Sequence, residues 1–60
     1  MEDEGVWIDF DNISRETEAA LEIAIDGKRH WLPKSQVLML FEKTKKVKIP
    51  EWLANKRGLI

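Results

Sequence analysis

The chain has sixty residues, no cysteine and a formal net charge of −1. A chain of this length makes one domain, 1–60, and buries only about 60% of its unfolded surface, so its core must be dense or shared with a second copy. Without cysteine it has no disulfide and no thiolate metal site, and no apolar run approaches the ~18 residues that span a bilayer.

Charge divides the chain. Residues 1–26 carry nine acids and one base, residues 27–60 nine bases and two acids. One consequence is a basic face for an acidic partner. The plainer one is pairing of acidic strands with basic strands, worth roughly a few tenths of a kcal/mol per ion pair. Missing cysteine suits a reducing compartment. The acidic start Met1-Glu2-Asp3-Glu4 is not followed by an apolar run, so it does not read as a secretory leader.

Residues 1–5 read as frayed. Over 6–10, Val6, Ile8 and Phe10 alternate with Trp7 and Asp9, the pattern of a half-buried strand. Trp7 is out of phase with the aliphatics, which marks it as an exposed contact or a dimer seam. Asp11-Asn12 turns or bulges the chain. Residues 14–19 stay open between two readings. One is a helix over 14–25 capped by Ser14, since RETEAALE is rich in helix formers. The other is a continued strand.

Leu21, Ile23 and Ile25 then alternate with Glu22 and Ala24, and β-branching decides for a strand. Asp26-Gly27 tolerates the positive φ angles of a type I′ turn, and 28–32 returns. With a two-residue loop, Ile25 faces Lys28, Ile23 faces His30 and Leu21 faces Leu32. Trp31 then falls on the other face, opposite Glu22 and beside Ala20 and Ala24. A three-residue loop would put Trp31 across from Leu21. The aliphatic pair Leu21–Leu32 favours the shorter loop.

Pro33 cannot donate to a ladder, so 33–36 reads as a connecting turn. VLMLF, 37–41, is apolar on both faces. Its length favours a strand covered on both sides over a short buried helix capped by Ser35. After a turn at 43–46, 47–49 reads as a short edge strand, with Lys46 and Lys48 discouraging stray pairing. Pro50 in the first helical position, Glu51 early, Lys56 and Arg57 late, and Gly58 past the end predict a helix over 50–57. Trp52 and Leu53 would face the sheet. Trp7, Trp31, Trp52, Phe10 and Phe41 are the large side chains available to a dense core. The fold class predicted is mainly β: a small antiparallel sheet or partly closed barrel of four to five short strands, with one C-terminal helix.

The sequence holds no recognisable catalytic set. His30 is the single histidine and reads as a strand residue. Asp9-Phe10-Asp11-Asn12 begins like a calcium loop, but Ser14 and Ala20 stand where Gly and Glu belong. Ser14 and Ser35 have no identifiable base, and the glycines form no phosphate-binding motif. No catalytic residue, metal or cofactor is expected. Trp7, Trp31, Lys34, Gln36, Leu38 and Leu40 are candidate contacts for a partner protein. Arg29, Trp31 and Lys34, with Lys43, Lys45, Lys46 and Lys48, form an alternative aromatic-plus-basic set for single-stranded nucleic acid. Against both stands a Trp31 packed beneath the C-terminal helix on Trp52.

Trp31-Leu32-Pro33-Lys34-Ser35-Gln36-Val37, with Ile49-Pro50-Glu51-Trp52-Leu53-Ala54 and Lys56-Arg57-Gly58-Leu59-Ile60, resembles a family of very small phage and prophage proteins. Their layout is EIDG…W-I-P-K-S-Q-I…I-P-E-W-L-A…K-G-L, and the likeness covers most of 18–60. The chain departs from it at His30, where an aliphatic residue is usual, and in the long apolar VLMLF. The resemblance implies a phage early-region product in the cytoplasm of a bacterial host, and it carries over no functional residue. The function expected is a non-enzymatic protein that binds a host or phage protein, such as a defence or replication component. Self-association and nucleic-acid binding in phage recombination or replication are the other partner classes.

Overall fold

The computed structural model describes residues 5–60, so of the stretch read as frayed only Gly5 lies among the described residues. Six strands and a short helix follow one another: β1 Val6–Asp9, β2 Asn12–Glu16, β3 Ala20–Ile25, β4 Lys28–Pro33, β5 Met39–Phe41, β6 Lys46–Ile49 and α1 Glu51–Lys56. The fold is mainly β, as the alternation predicts. The strands form two antiparallel three-stranded sheets, ordered β1-β6-β5 and β2-β3-β4, and no closed barrel. One strand more is present than the upper number predicted, because Asn12–Glu16 is a strand of its own.

The hairpin β3–β4 pairs Ile25 with Lys28, Ile23 with His30 and Leu21 with Leu32, the register of the two-residue loop. Asp26 and Gly27 have φ of 51° and 79°, the double positive that a type I′ turn needs. The Asp26 N–H also donates to Asp11 Oδ2 at 2.9 Å, so a side chain from the preceding connection holds the turn.

Residues 14–19 are strand and turn, not helix. The register of β2 on β3 slips between Ile13 and Arg15, which makes Ser14 the extra residue of a bulge. Thr17 then reverses the chain: its N–H donates to the Ala20 carbonyl at 2.8 Å, and its Oγ1 accepts the Ala20 N–H at 3.1 Å. A threonine closing a turn on its own backbone competes with helix formation.

Between β1 and β2 the chain passes from one sheet to the other. Phe10 N–H donates to the Lys45 carbonyl at 3.0 Å, beside the first sheet, and Asp11 N–H donates to the Ala24 carbonyl of β3 at 2.7 Å. The core lies between the sheets. Ile8 and Phe10, Leu21 and Ile23, Leu32, Val47 and Ile49 are buried there, with Leu53 and Ala54 from α1.

Several expectations are corrected. Val47 and Ile49 belong to a central strand: β6 pairs with β1 on one side and β5 on the other. An alternating strand with one wet face looks the same at an edge or in the middle, and the partner here is 43 residues away in sequence, Val6 opposite Ile49. VLMLF is a strand only over Met39–Phe41, with Leu40 half-buried and its neighbours exposed, so it is not covered on both faces. Pro33 ends β4 itself, and a 3-10 turn at Lys34–Gln36 follows. β4 is an outer strand of its sheet, where a missing N–H is tolerated.

The helix is Glu51–Lys56, with Pro50 as its N-cap. Pro50 therefore stands one residue before the first helical position. Gly58 has φ of 73°, its N–H donates to the Asn55 carbonyl, and the Leu59 N–H reaches back to Ala54 at 2.8 Å. Those two bonds are the Schellman closure that the terminal Gly-Leu suggests. Leu53 and Ala54 face the core, and Trp52 is half-exposed. Of the five aromatics expected to fill the interior, only Phe10 does so; the three tryptophans and Phe41 are at the surface.

Leu32 is fully buried. Leu32→Ala is expected to cost about 2–5 kcal/mol, enough to leave the chain largely unfolded at 25 °C by circular dichroism, against a cooperative transition for the parent. At Gly5 an added Cβ would lie 2.8 Å from Leu38 Cδ1 and 3.1 Å from the Ile49 carbonyl oxygen, at a φ of +80°. At Gly27 the φ is +79° and nothing lies within 4 Å. Both alanine variants carry the left-handed penalty of roughly 1 kcal/mol, and Gly5→Ala is expected to lower the urea midpoint further than Gly27→Ala.

Candidate interaction surface

Cross-strand register fixes what the outer face of the first sheet presents. Trp7, Lys48 and Met39 form one row across β1, β6 and β5; Asp9, Lys46 and Phe41 form the next. Residues opposite one another in a sheet share a face, and the intervening Ile8, Val47 and Leu40 point to the core. The face is therefore wet by parity, yet it carries Trp7 at 45% exposure, Phe41 at 46% and Met39 at 44%.

Trp7 and Phe41 lie on the two outer strands, about 10 Å apart by ordinary strand spacing. Their rings nevertheless meet over β6, with centroids 5.4 Å apart and planes 17° from parallel. An offset stack of this kind contributes about 0.5–1.5 kcal/mol beyond area burial. Lys48 Nζ sits 5.9 Å from the centre of the Trp7 ring, within cation–π range. Lys46 Nζ pairs with Asp9 Oδ1 at 3.2 Å, both well exposed, which makes it a weak bond. Leu38, half-exposed, continues the apolar surface beside Gly5 and the Lys48 stem. Lys43 and Lys45 lie on the turn that joins Phe41 to Lys46, and Lys45 takes a φ of 58° there.

The two sets read from the sequence are divided between the sheets. Trp7, Lys46 and Lys48 belong to the first sheet, with Leu38 just before β5 and Lys43 and Lys45 on the turn between β5 and β6. Leu40 turns inward onto the core. Arg29, Trp31, Lys34 and Gln36 belong to β4 and the 3-10 turn after it. Trp31, 37% exposed, lies opposite Glu22 rather than in the core. Lys34 Nζ is bound to Glu16 Oε2 at 2.6 Å, so its charge is already engaged. The basic residues do not form one patch with Trp31.

Met39 and Phe41 stand exposed on this face, and neither was among the contacts read from the sequence. The signal was present in the parity of the segment: if Leu40 points inward, Met39 and Phe41 point out.

A third feature is an open cleft of about 640 Å³ whose lining includes Trp7, Asp9, Asp26, Lys28, His30 and Arg57. Its charges are mixed in sign. Among the described residues no cluster of three or more His, Asp or Glu could hold a metal ion. No helix among them is long and apolar enough to cross a membrane. Comparison with protein-family models, with curated proteins and with solved structures gives no match to this chain.

Trp7→Ala removes an exposed ring and its stack on Phe41 but leaves the core intact. Its stability loss by urea unfolding is expected to be the stack's about 0.5–1.5 kcal/mol plus the burial of about half of one ring, with no core cavity, so the variant is expected to keep a cooperative transition and to serve in binding assays.

Proposed function

We propose that this protein is a non-enzymatic binding module that works by protein–protein contact through the outer face of its first sheet. One observation carries the reading. Trp7, Phe41 and Met39, each close to half-exposed, are gathered on one face of a sheet whose opposite face already makes the core. Isolated exposed hydrophobes are ordinary, but a contiguous apolar patch with a polar rim marks an interaction site. Aromatic residues and methionine are also the types enriched at interface centres. Lys46 and Lys48, on the central strand, lie between the apolar side chains, and Lys43 and Lys45 on the adjoining turn add positive charge at one edge, which suits acidic groups on the partner. The resemblance to phage proteins directs the search for that partner to host defence and replication components in the bacterial cytoplasm.

The test is capture from host lysate on immobilised chain, followed by titration of the purified candidate. A partner that binds the parent and loses at least about tenfold in affinity with Trp7→Ala or Phe41→Ala, as hot-spot aromatics do, supports the reading. Binding indifferent to both substitutions overturns it. Recovery of no partner protein also counts against it.

A second reading rests on one specific observation, the interleaving of Lys48 and Lys46 with the Trp7–Phe41 stack. Aromatic platforms with flanking cations grip single-stranded nucleic acid. Fluorescence anisotropy with a labelled single-stranded oligonucleotide separates the two. Affinity that falls steeply with salt and is lost in Trp7→Ala would favour nucleic acid; no binding at low salt removes it.

A further inference from the structure

The second sheet holds a group that the contact face does not use. Glu22, in the middle strand of that sheet, is only 6% exposed, and its Oε1 has no hydrogen-bond partner. A carboxylate oxygen is a strong acceptor, and leaving one buried without a donor costs free energy. Such groups are rare enough in folded chains to need a reason.

The surroundings of Glu22 are set by register. Arg15 on β2 and Trp31 on β4 are its cross-strand neighbours, and opposed residues share a face. Ala20 and Ala24, two positions away along the same strand, share it too and bring only methyl groups. Among the described residues no ion pair joins Arg15 or Arg29 to Glu22, and Lys34 is held by Glu16. The face thus combines a carboxylate lacking a donor with an indole that is 37% exposed.

We propose that Glu22 and Trp31 form a receptor for an arginine side chain of a partner polypeptide. A guanidinium offers a planar fork of donors that matches a carboxylate, and its plane stacks on an aromatic face. Lysine, a strongly hydrated point charge, does only part of this. Oε1 is closed to solvent, so entry needs the cover to shift. The cross-strand neighbours of Glu22, Arg15 and Trp31, are exposed side chains, on the face opposite to Leu21, Ile23 and Leu32. This site lies on a different sheet from the Trp7–Phe41 surface and stands independently of it.

The experiment follows the Trp31 indole N–H by NMR in the full chain. Acetyl-Gly-Arg-Gly-amide is titrated against the same peptide with citrulline, which keeps the shape and removes the charge. The arginine peptide is expected to give a saturable shift at Trp31. Binding should be about tenfold weaker with citrulline and in Glu22→Gln, the loss of one charge-assisted bond. If Glu22→Gln fails to fold, the comparison of the two peptides on the parent chain decides alone. Arg15→Gln removes the neighbouring cation able to compete for Glu22 and is expected to bind the arginine peptide at least as well. No saturable shift in either the parent or Arg15→Gln, or equal shifts with citrulline, overturns the proposal.

Discussion

Two adjacent backbone amides govern how this chain can bury anything. Phe10 N–H is spent on the first sheet and Asp11 N–H on the second, so the strand that ends one sheet becomes the start of the other. A single three-stranded sheet of this size has one apolar face and nothing to cover it. The crossing at Phe10 and Asp11 sets a second sheet over that face. Phe10, buried at the crossing, and Asp11, whose carboxylate holds the β3–β4 turn, tie the same short segment to both halves. The helix contributes Leu53 and Ala54 to the core, and its Gly58-Leu59 closure seats Leu59 against the same cluster.

Once two sheets face each other, parity does the sorting. The buried inward positions carry Ile, Leu and Val, while His30 and Lys28 continue the same face of β4 into the open cleft; the outward positions hold the polar side chains and most of the large rings. In β1 the outward positions are Trp7 and Asp9, in β5 Met39 and Phe41, in β4 Arg29 and Trp31. A chain this short would be expected to need its indoles inside. It instead fills the interior with compact aliphatics, whose branched shapes pack between close sheets. The large rings are left outside: Trp7 and Phe41 among lysines on the first sheet, Trp31 opposite a glutamate on the second, and Trp52 on the helix.

The hairpin was legible because its signals are local. Asp26-Gly27 and the alternation on either side determine turn, register and face together, and the placement of Trp31 opposite Glu22 follows from them. The helix end was legible for the same reason, through Gly58. Illegible features depended on distant partners or on irregularity. The central position of β6 rests on Val6 meeting Ile49, which no local pattern announces. The bulge at Ser14 breaks alternation where the composition also favours helix, so 14–19 had two readings of similar weight. The stacked Trp7–Phe41 pair needed both the β1–β6 and the β5–β6 registers before it could be seen. Trp7 and Trp31 sit where strand parity puts them, not in the core that a chain this short would be expected to need them for.

Aliphatics and Phe10 close the interior, and the Trp7–Phe41 stack stands outside it on the solvent face of the first sheet. Paramagnetic relaxation by an inert, soluble gadolinium chelate tests it directly on the isolated chain in dilute solution. The account expects strong broadening of the Trp7 indole N–H and Met39 methyl signals, with the Val47 and Ile23 methyls sheltered. A Trp7 indole as protected as the Val47 methyls would place the ring inside, and the account would fail.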